Sequence, residues 1–124
     1  MKNLLLILIL NLTLNSCVKE KNCTSFKTGT FQYSDQLYSD LKVIRTDSTQ
    51  TEINMKNGLE MHSSIKWIND CNYVLTITKV LNADLENVIG KIIEVEIVET
   101  KSDSYKLKSK SDDGNLELEL KIIN

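Results

Sequence analysis

The 124-residue chain contains no proline, four glycines, one histidine, one arginine and one tryptophan. Each shortage narrows what the protein can be. Once Cys17 is assigned to the amino-terminal leader, Cys23 and Cys71 with the lone His62 make a poor metal site, because a tetrahedral centre draws four Cys or His ligands, so no metal is expected. The C-x-x-C spacing typical of thiol redox proteins is missing. So is any run of about 20 apolar residues, the length a membrane-spanning helix requires. No nucleophile elbow, H-E-x-x-H, Walker loop or G-x-G-x-x-G occurs, which leaves no catalytic residue to nominate and no cofactor to expect. Lys and Arg number 15 against 17 Asp and Glu, a balance with no electrostatic reason to seek nucleic acid. His62 falls out of phase with Leu59, Met61 and Trp67, hence outward, and no Ser, Cys or Asp motif accompanies it as a catalytic base.

The amino terminus is the most informative stretch present. Lys2 supplies a positive charge, Leu4 to Leu10 an uninterrupted apolar run, and Asn11, Thr13, Asn15 and Ser16 a polar end before Cys17. Residues 1–16 therefore read as an export signal peptide. Leu14-Asn15-Ser16-Cys17 resembles the bacterial lipobox, with Asn15 where Ala, Ser or Thr is usual. The resemblance implies cleavage before Cys17 and diacylglycerol on its sulfur. Acyl chains contribute about 0.8 kcal/mol per buried methylene, so two or three hold a protein at a membrane durably. Val18-Lys19-Glu20-Lys21 carries no clear acidic surface-export signal, which makes the periplasmic face of the outer membrane the expected location. Residues 17–25 then form the lipidated N-terminus and tether, and 26–124 a single β domain.

With Cys17 committed to lipid, Cys23 and Cys71 remain as a pair in an oxidising compartment, where a disulfide is the default. Closing a loop of about 48 residues stabilises by roughly 4 kcal/mol on the chain-entropy model. The bond would tie the tether to the domain.

Beyond residue 26 the apolar period is two nearly everywhere, which predicts an all-β fold. Strands are expected at Gly29 to Tyr33, Leu41 to Thr46, either side of Asn57-Gly58, Cys71 to Val80, Ile92 to Thr100, Asp103 to Ser111 and Asn115 to Ile123. A short helix is expected over 82–90, capped by Asn82 and ended by Gly90. At Asn57-Gly58 a three-residue loop, with Gly58 left-handed, pairs Met55 with Leu59 and Ile53 with Met61. In the last three strands a lysine strand lies between two glutamate strands: Glu96 aligns with Lys106 and Glu119, Glu94 with Lys108 and Glu117. Opposite charges across strands contribute about 0.2–1 kcal/mol per pair, so these side chains read as a solvated outer face. About eight strands joined by short turns predict an antiparallel up-and-down meander, closed into a small lipocalin-like barrel or folded as a compact sandwich.

If such a barrel is hollow, Phe31, Met61, Trp67, Leu75 and Tyr105 are its expected lining. Trp67, four residues before Cys71, otherwise reads as a core aromatic packed on the disulfide. Arg45 shares a face with Val43 and is placed at the rim.

Several segments together are similar to the small uncharacterised lipoproteins of the Bacteroidota. They are the lipobox, Cys23 with Phe26-Lys27-Thr28-Gly29-Thr30-Phe31, Ile44-Arg45-Thr46-Asp47-Ser48, and Ile65-Lys66-Trp67-Ile68-Asn69-Asp70-Cys71-Asn72-Tyr73. Proteins of this kind are sometimes labelled DNA topoisomerase IV, a label that an exported, acidic and short chain gives no cause to accept. Gly29-Thr30-Phe31 also resembles the Gly-x-Trp opening of lipocalins, with Phe in place of Trp. The resemblances imply a lipid-anchored binding or accessory module of the cell envelope, holding a small apolar ligand or docking on an envelope protein. The alternative is an envelope enzyme or enzyme inhibitor.

Overall fold

Alternating side chains give this chain eight strands, and the computed structural model describes them within residues 20–123. The expected signal peptide and Cys17 lie outside the described residues. The strands are β1 (Gly29–Tyr33), β2 (Leu41–Arg45), β3 (Thr49–Asn54), β4 (Glu60–Asn69), β5 (Asn72–Leu81), β6 (Ile92–Thr100), β7 (Ser104–Ser111) and β8 (Gly114–Ile122). Each pairs antiparallel with the next, and β8 returns to β1 through Phe31 opposite Ile122 and Tyr33 opposite Leu120. The result is a closed meander barrel, the lipocalin-like alternative of the two expected. Closure pairs the first strand with the last, which a sandwich would leave as edges.

The inward positions of successive strands fill the barrel. Phe31, Val43, Tyr73, Ile97, Tyr105 and Leu120 are almost wholly excluded from solvent, with Ile65, Leu75, Val95 and Leu107 packed beside them. A meander also sorts its connections to two ends. Residues 46–48, 70–71 and 101–103 join strands at one end, and 34–40, 55–59, 82–91 and 112–113 at the other. The amino-terminal segment enters at the first. Its 3-10 turn, Cys23–Phe26, buries Cys23 and Phe26 in the core, and a disulfide joins Cys23 to Cys71. Just before it, the Asn22 amide donates to Thr100 Oγ1 at 2.8 Å. Part of the stretch expected to be tether is thus a plug that closes this end of the barrel.

Three local expectations need correction. In the β3–β4 hairpin Glu52 lies opposite Met61 and Ile53 opposite Glu60, one residue off the expected register. Gly58 is left-handed as expected, at φ 76°, but the loop has four residues, with Asn54 N–H bonded to the Leu59 carbonyl. The Asn54 side chain explains this, because its Oδ1 accepts from the amides of Lys56 and Asn57 and so holds the wider loop. The consequence is a polar inner face on β3, with Gln50 and Glu52 inward and Met55 exposed.

The β6–β7 pairing is also displaced. Glu94 faces Lys110, Glu96 faces Lys108 and Glu99 faces Lys106, with a bulge between Ile97 and Glu99. The wider turn sets Thr100 opposite Tyr105, whose ring enters the core. Expected β7–β8 pairs stand: Lys106 opposite Glu119, Lys108 opposite Glu117. Lys106 and Lys108 remain flanked by glutamates on both sides, while Lys110 faces Asn115 on β8.

The helix expected over 82–90 contracts to one 3-10 turn, Glu86–Val88. Asn82 does not cap it. Its backbone is left-handed at φ 64°, and its side-chain amide donates to the Gly58 carbonyl at 2.8 Å, bracing one loop on another.

Candidate functional site

Arg45 is the last residue of β2, and period two points it inward. It is 2% exposed, which corrects its expected place at the rim. Nε donates to Gln50 Oε1 at 3.0 Å, Nη1 to the Phe26 carbonyl at 2.7 Å, and Nη2 to the hydroxyls of Tyr73 and Tyr105 at 3.1 and 2.8 Å. Those hydroxyls lie 2.9 Å apart and bond to each other. The guanidinium carbon is 4.7 Å from the Phe31 ring centroid and 4.8 Å from that of Tyr73. Among the described residues no carboxylate forms an ion pair with it.

A buried cation without a counter-ion is costly unless its donors are satisfied. Here four of the five guanidinium N–H groups have partners, and aromatic faces supply negative quadrupole density. Burial works against the charge, but the hydroxyls of Tyr105 and Tyr73 outweigh it and hold the arginine above its ordinary value. Burial first, then Tyr105, pushes the Tyr73 phenol well above its ordinary range. The Tyr73 phenol stays a neutral donor and acceptor. With four of its donors engaged and almost no solvent access, Arg45 acts as a clamp between the plug and strands β3, β5 and β7. The sequence carried a signal for this: Arg45, Gln50, Tyr73 and Tyr105 all lie in inward phase near one end of their strands.

A second polar pair sits on the inner wall. Tyr33 donates its hydroxyl hydrogen to Glu52 Oε2 at 3.0 Å. Burial raises the Glu52 carboxyl, an effect the Tyr33 hydrogen bond opposes without cancelling. Burial and the neighbouring Glu52 push Tyr33 well above its ordinary value.

Of the five expected lining residues, Phe31, Leu75 and Tyr105 fill the core, Phe31 and Tyr105 meeting edge to face at 6.0 Å. Trp67 is half-buried, its ring 4.6 Å from Tyr73 with the Lys27 ammonium 5.3 Å from its centroid. It packs against the core cluster that includes Cys23 and Tyr73. Only Met61 lines a recess. That recess, of about 200 Å³, lies at the end away from the plug, with Ile77, Val88 and Ile93 among its walls and Asp112 and Asp113 at its rim. Lys91 bridges to Asp113 there at 2.8 Å. Ile92, which lines it, is exposed, as are Leu85 and Ile89 in the β5–β6 connection.

His62 faces outward and is half-buried, Nδ1 3.3 Å from Thr51 Oγ1 and Nε2 3.8 Å from Glu60 Oε1. No metal-binding group of three or more His, Cys, Asp or Glu side chains occurs among the described residues. The outer faces of β5 to β8 form a larger, open groove of about 710 Å³, where Glu94, Glu96, Lys108, Lys110 and Glu117 alternate. This is the solvated face expected from the charge ladder.

The fold and its interior define a small closed meander barrel, plugged and clamped at one end. Comparison with protein families, curated sequences and solved structures finds no match to this chain.

Proposed function

We propose that the protein is a lipid-anchored module of the cell envelope that docks another envelope protein, its barrel serving as a packed scaffold. The observation that carries this is the division of the molecule into two unlike ends. At one, the chain enters the barrel through Asn22 and Cys23, and the interior is filled by Phe26, Phe31, Tyr73 and Tyr105 around Arg45. Six residues, 17–22, separate the expected lipid from the plug, an extended reach of about 20 Å. A clamp end held so close to a membrane turns the loop end away from it. The packed core favours protein docking over carriage of a small apolar molecule, because drug-sized sites enclose roughly 300–1,000 Å³. As for an enzyme, Arg45 is sealed inside and His62 lies outside, so these groups form no common cluster.

Mass spectrometry of the protein purified from its own membranes tests both halves of the proposal. The expected result is an acylated Cys17 at the mature N-terminus and no stoichiometric small molecule carried under native conditions. An unmodified terminus at another position overturns the anchor. A bound apolar ligand at one per chain overturns the docking role in favour of carriage.

A further inference from the structure

We infer that the loop end binds a basic segment of the partner, with one large apolar side chain seated in the recess beside Met61. This deepens the docking role proposed above and rests on it. Connections at the loop end carry Asp35, Asp40, Asp84, Glu86, Asp112 and Asp113 against only Lys56 and Lys91. At the plug end the described chain from 20 to 28 and the turns carry Glu20, Asp47, Asp70 and Asp103 against Lys21, Lys27 and Lys101, close to balance. The asymmetry concentrates acid on the surface turned away from the anchor. Lys91 is engaged by Asp113, so among the described residues Asp84, Glu86 and Asp112 have no ion-pair partner.

The same surface exposes apolar side chains. Ile89 and Ile92 are each about half exposed and Leu85 more than a third, and Ile92 borders the recess, whose apolar wall includes Met61, Ile77 and Ile93. At about 200 Å³ it is smaller than ordinary ligand sites and suits a single aliphatic or aromatic side chain. Its frame is fixed from several sides. Gly90 N–H donates to the Ile77 carbonyl at 2.7 Å, Asn82 is bonded to Gly58, and the Lys91–Asp113 bridge ties the loop to the β7–β8 turn. A preorganised apolar slot lined in part by the unpaired Asp112, at an end of the barrel whose connections are predominantly acidic, is complementary to a segment in which Lys or Arg flanks a large apolar residue. A second copy meeting this surface face to face would set acid against acid. An anionic lipid surface is repelled for the same reason.

The test is site-specific photo-cross-linking in cells with the full chain, benzoylphenylalanine replacing Ile89 or, as a plug-end control, Ser48. The expected result is a cross-link from position 89 to a protein segment in which Lys or Arg flanks an apolar residue, mapped by mass spectrometry. Asp84→Lys with Glu86→Lys and Asp112→Lys should reduce that adduct about tenfold while leaving the far-ultraviolet spectrum unchanged. Cross-links from position 89 to lipid, to a second copy or to an acidic segment overturn the inference, as does an adduct indifferent to charge reversal. Protein adducts from position 48 alone also overturn it but leave docking intact. No protein adduct from either position, together with a bound small molecule, brings down the docking role itself.

Discussion

The carbonyl oxygen of Phe26 accepts a 2.7 Å hydrogen bond from Arg45 Nη1, joining the plug to the inner wall of the barrel across 19 residues of sequence. The same guanidinium holds Gln50, Tyr73 and Tyr105, so one side chain registers the plug against three strands beyond its own. Arg45→Met fills much of the space but leaves the Phe26 carbonyl and Gln50 amide without their donor. Unsatisfied buried groups cost about 1–3 kcal/mol each, so a loss of about 3 kcal/mol or more is expected in urea unfolding. Arg45→Lys keeps the charge and loses the planar fork, and about 2 kcal/mol is expected there. Wild-type midpoints in both variants would show that the clamp contributes nothing.

The Cys23–Cys71 disulfide restrains the same plug covalently. Its sequence separation of 48 corresponds to roughly 4 kcal/mol of lost chain entropy in the unfolded state. Cys23→Ser combined with Cys71→Ser should therefore lower stability by about that amount, and reductant should do the same to the wild type. Adding Arg45→Met to the double serine variant should cost less than the two separate losses together, because both release one element. Additive losses in urea unfolding would mean that bond and clamp act on different parts of the molecule.

Strand number, meander order and the inward faces of β1, β2, β5, β6 and β7 were legible because alternation is a local signal and closure follows from it. The β3–β4 register was not, since Met55 and Ile53 are apolar and only the Asn54 side chain, bonded to the loop amides, makes the wider loop the better one. Nor was the β6–β7 offset, because Glu and Lys alternate so regularly that a shift of two residues still sets opposite charges together. Asn82 carries a helix-cap signature that its contact with Gly58, 24 residues away, overrides. The sequence points Arg45 to the rim for a related reason. A lone arginine in an apolar face is usually half solvated, and the group that seals it here, the Phe26 carbonyl, belongs to a plug read as tether. The disulfide was legible because reading Cys17 as the lipidated residue of an exported chain leaves Cys23 and Cys71 as the one pair, with no geometry needed.

Glu52 offers the clearest dependence on pH. It sits on the inner wall opposite Met61 and accepts the Tyr33 hydroxyl hydrogen, and burial raises its carboxyl above the ordinary range. The folded state thus holds this proton more tightly than the unfolded chain does. Stability from that difference is fully present below the unfolded pKa, about 4.3, and is lost as pH rises through the raised folded value. At neutral pH an ionised Glu52 therefore works against the fold. Glu52→Gln retains an amide oxygen for Tyr33 and removes the charge, so it should be more stable than the wild type at pH 7, the gap narrowing toward pH 4. Glu52→Leu removes the acceptor as well and should recover less, because the Tyr33 hydroxyl is left without its partner. Urea midpoints at the two pH values check the ordering, and a Glu52→Gln variant weaker than the wild type at pH 7 would mean that the carboxylate charge itself stabilises the barrel.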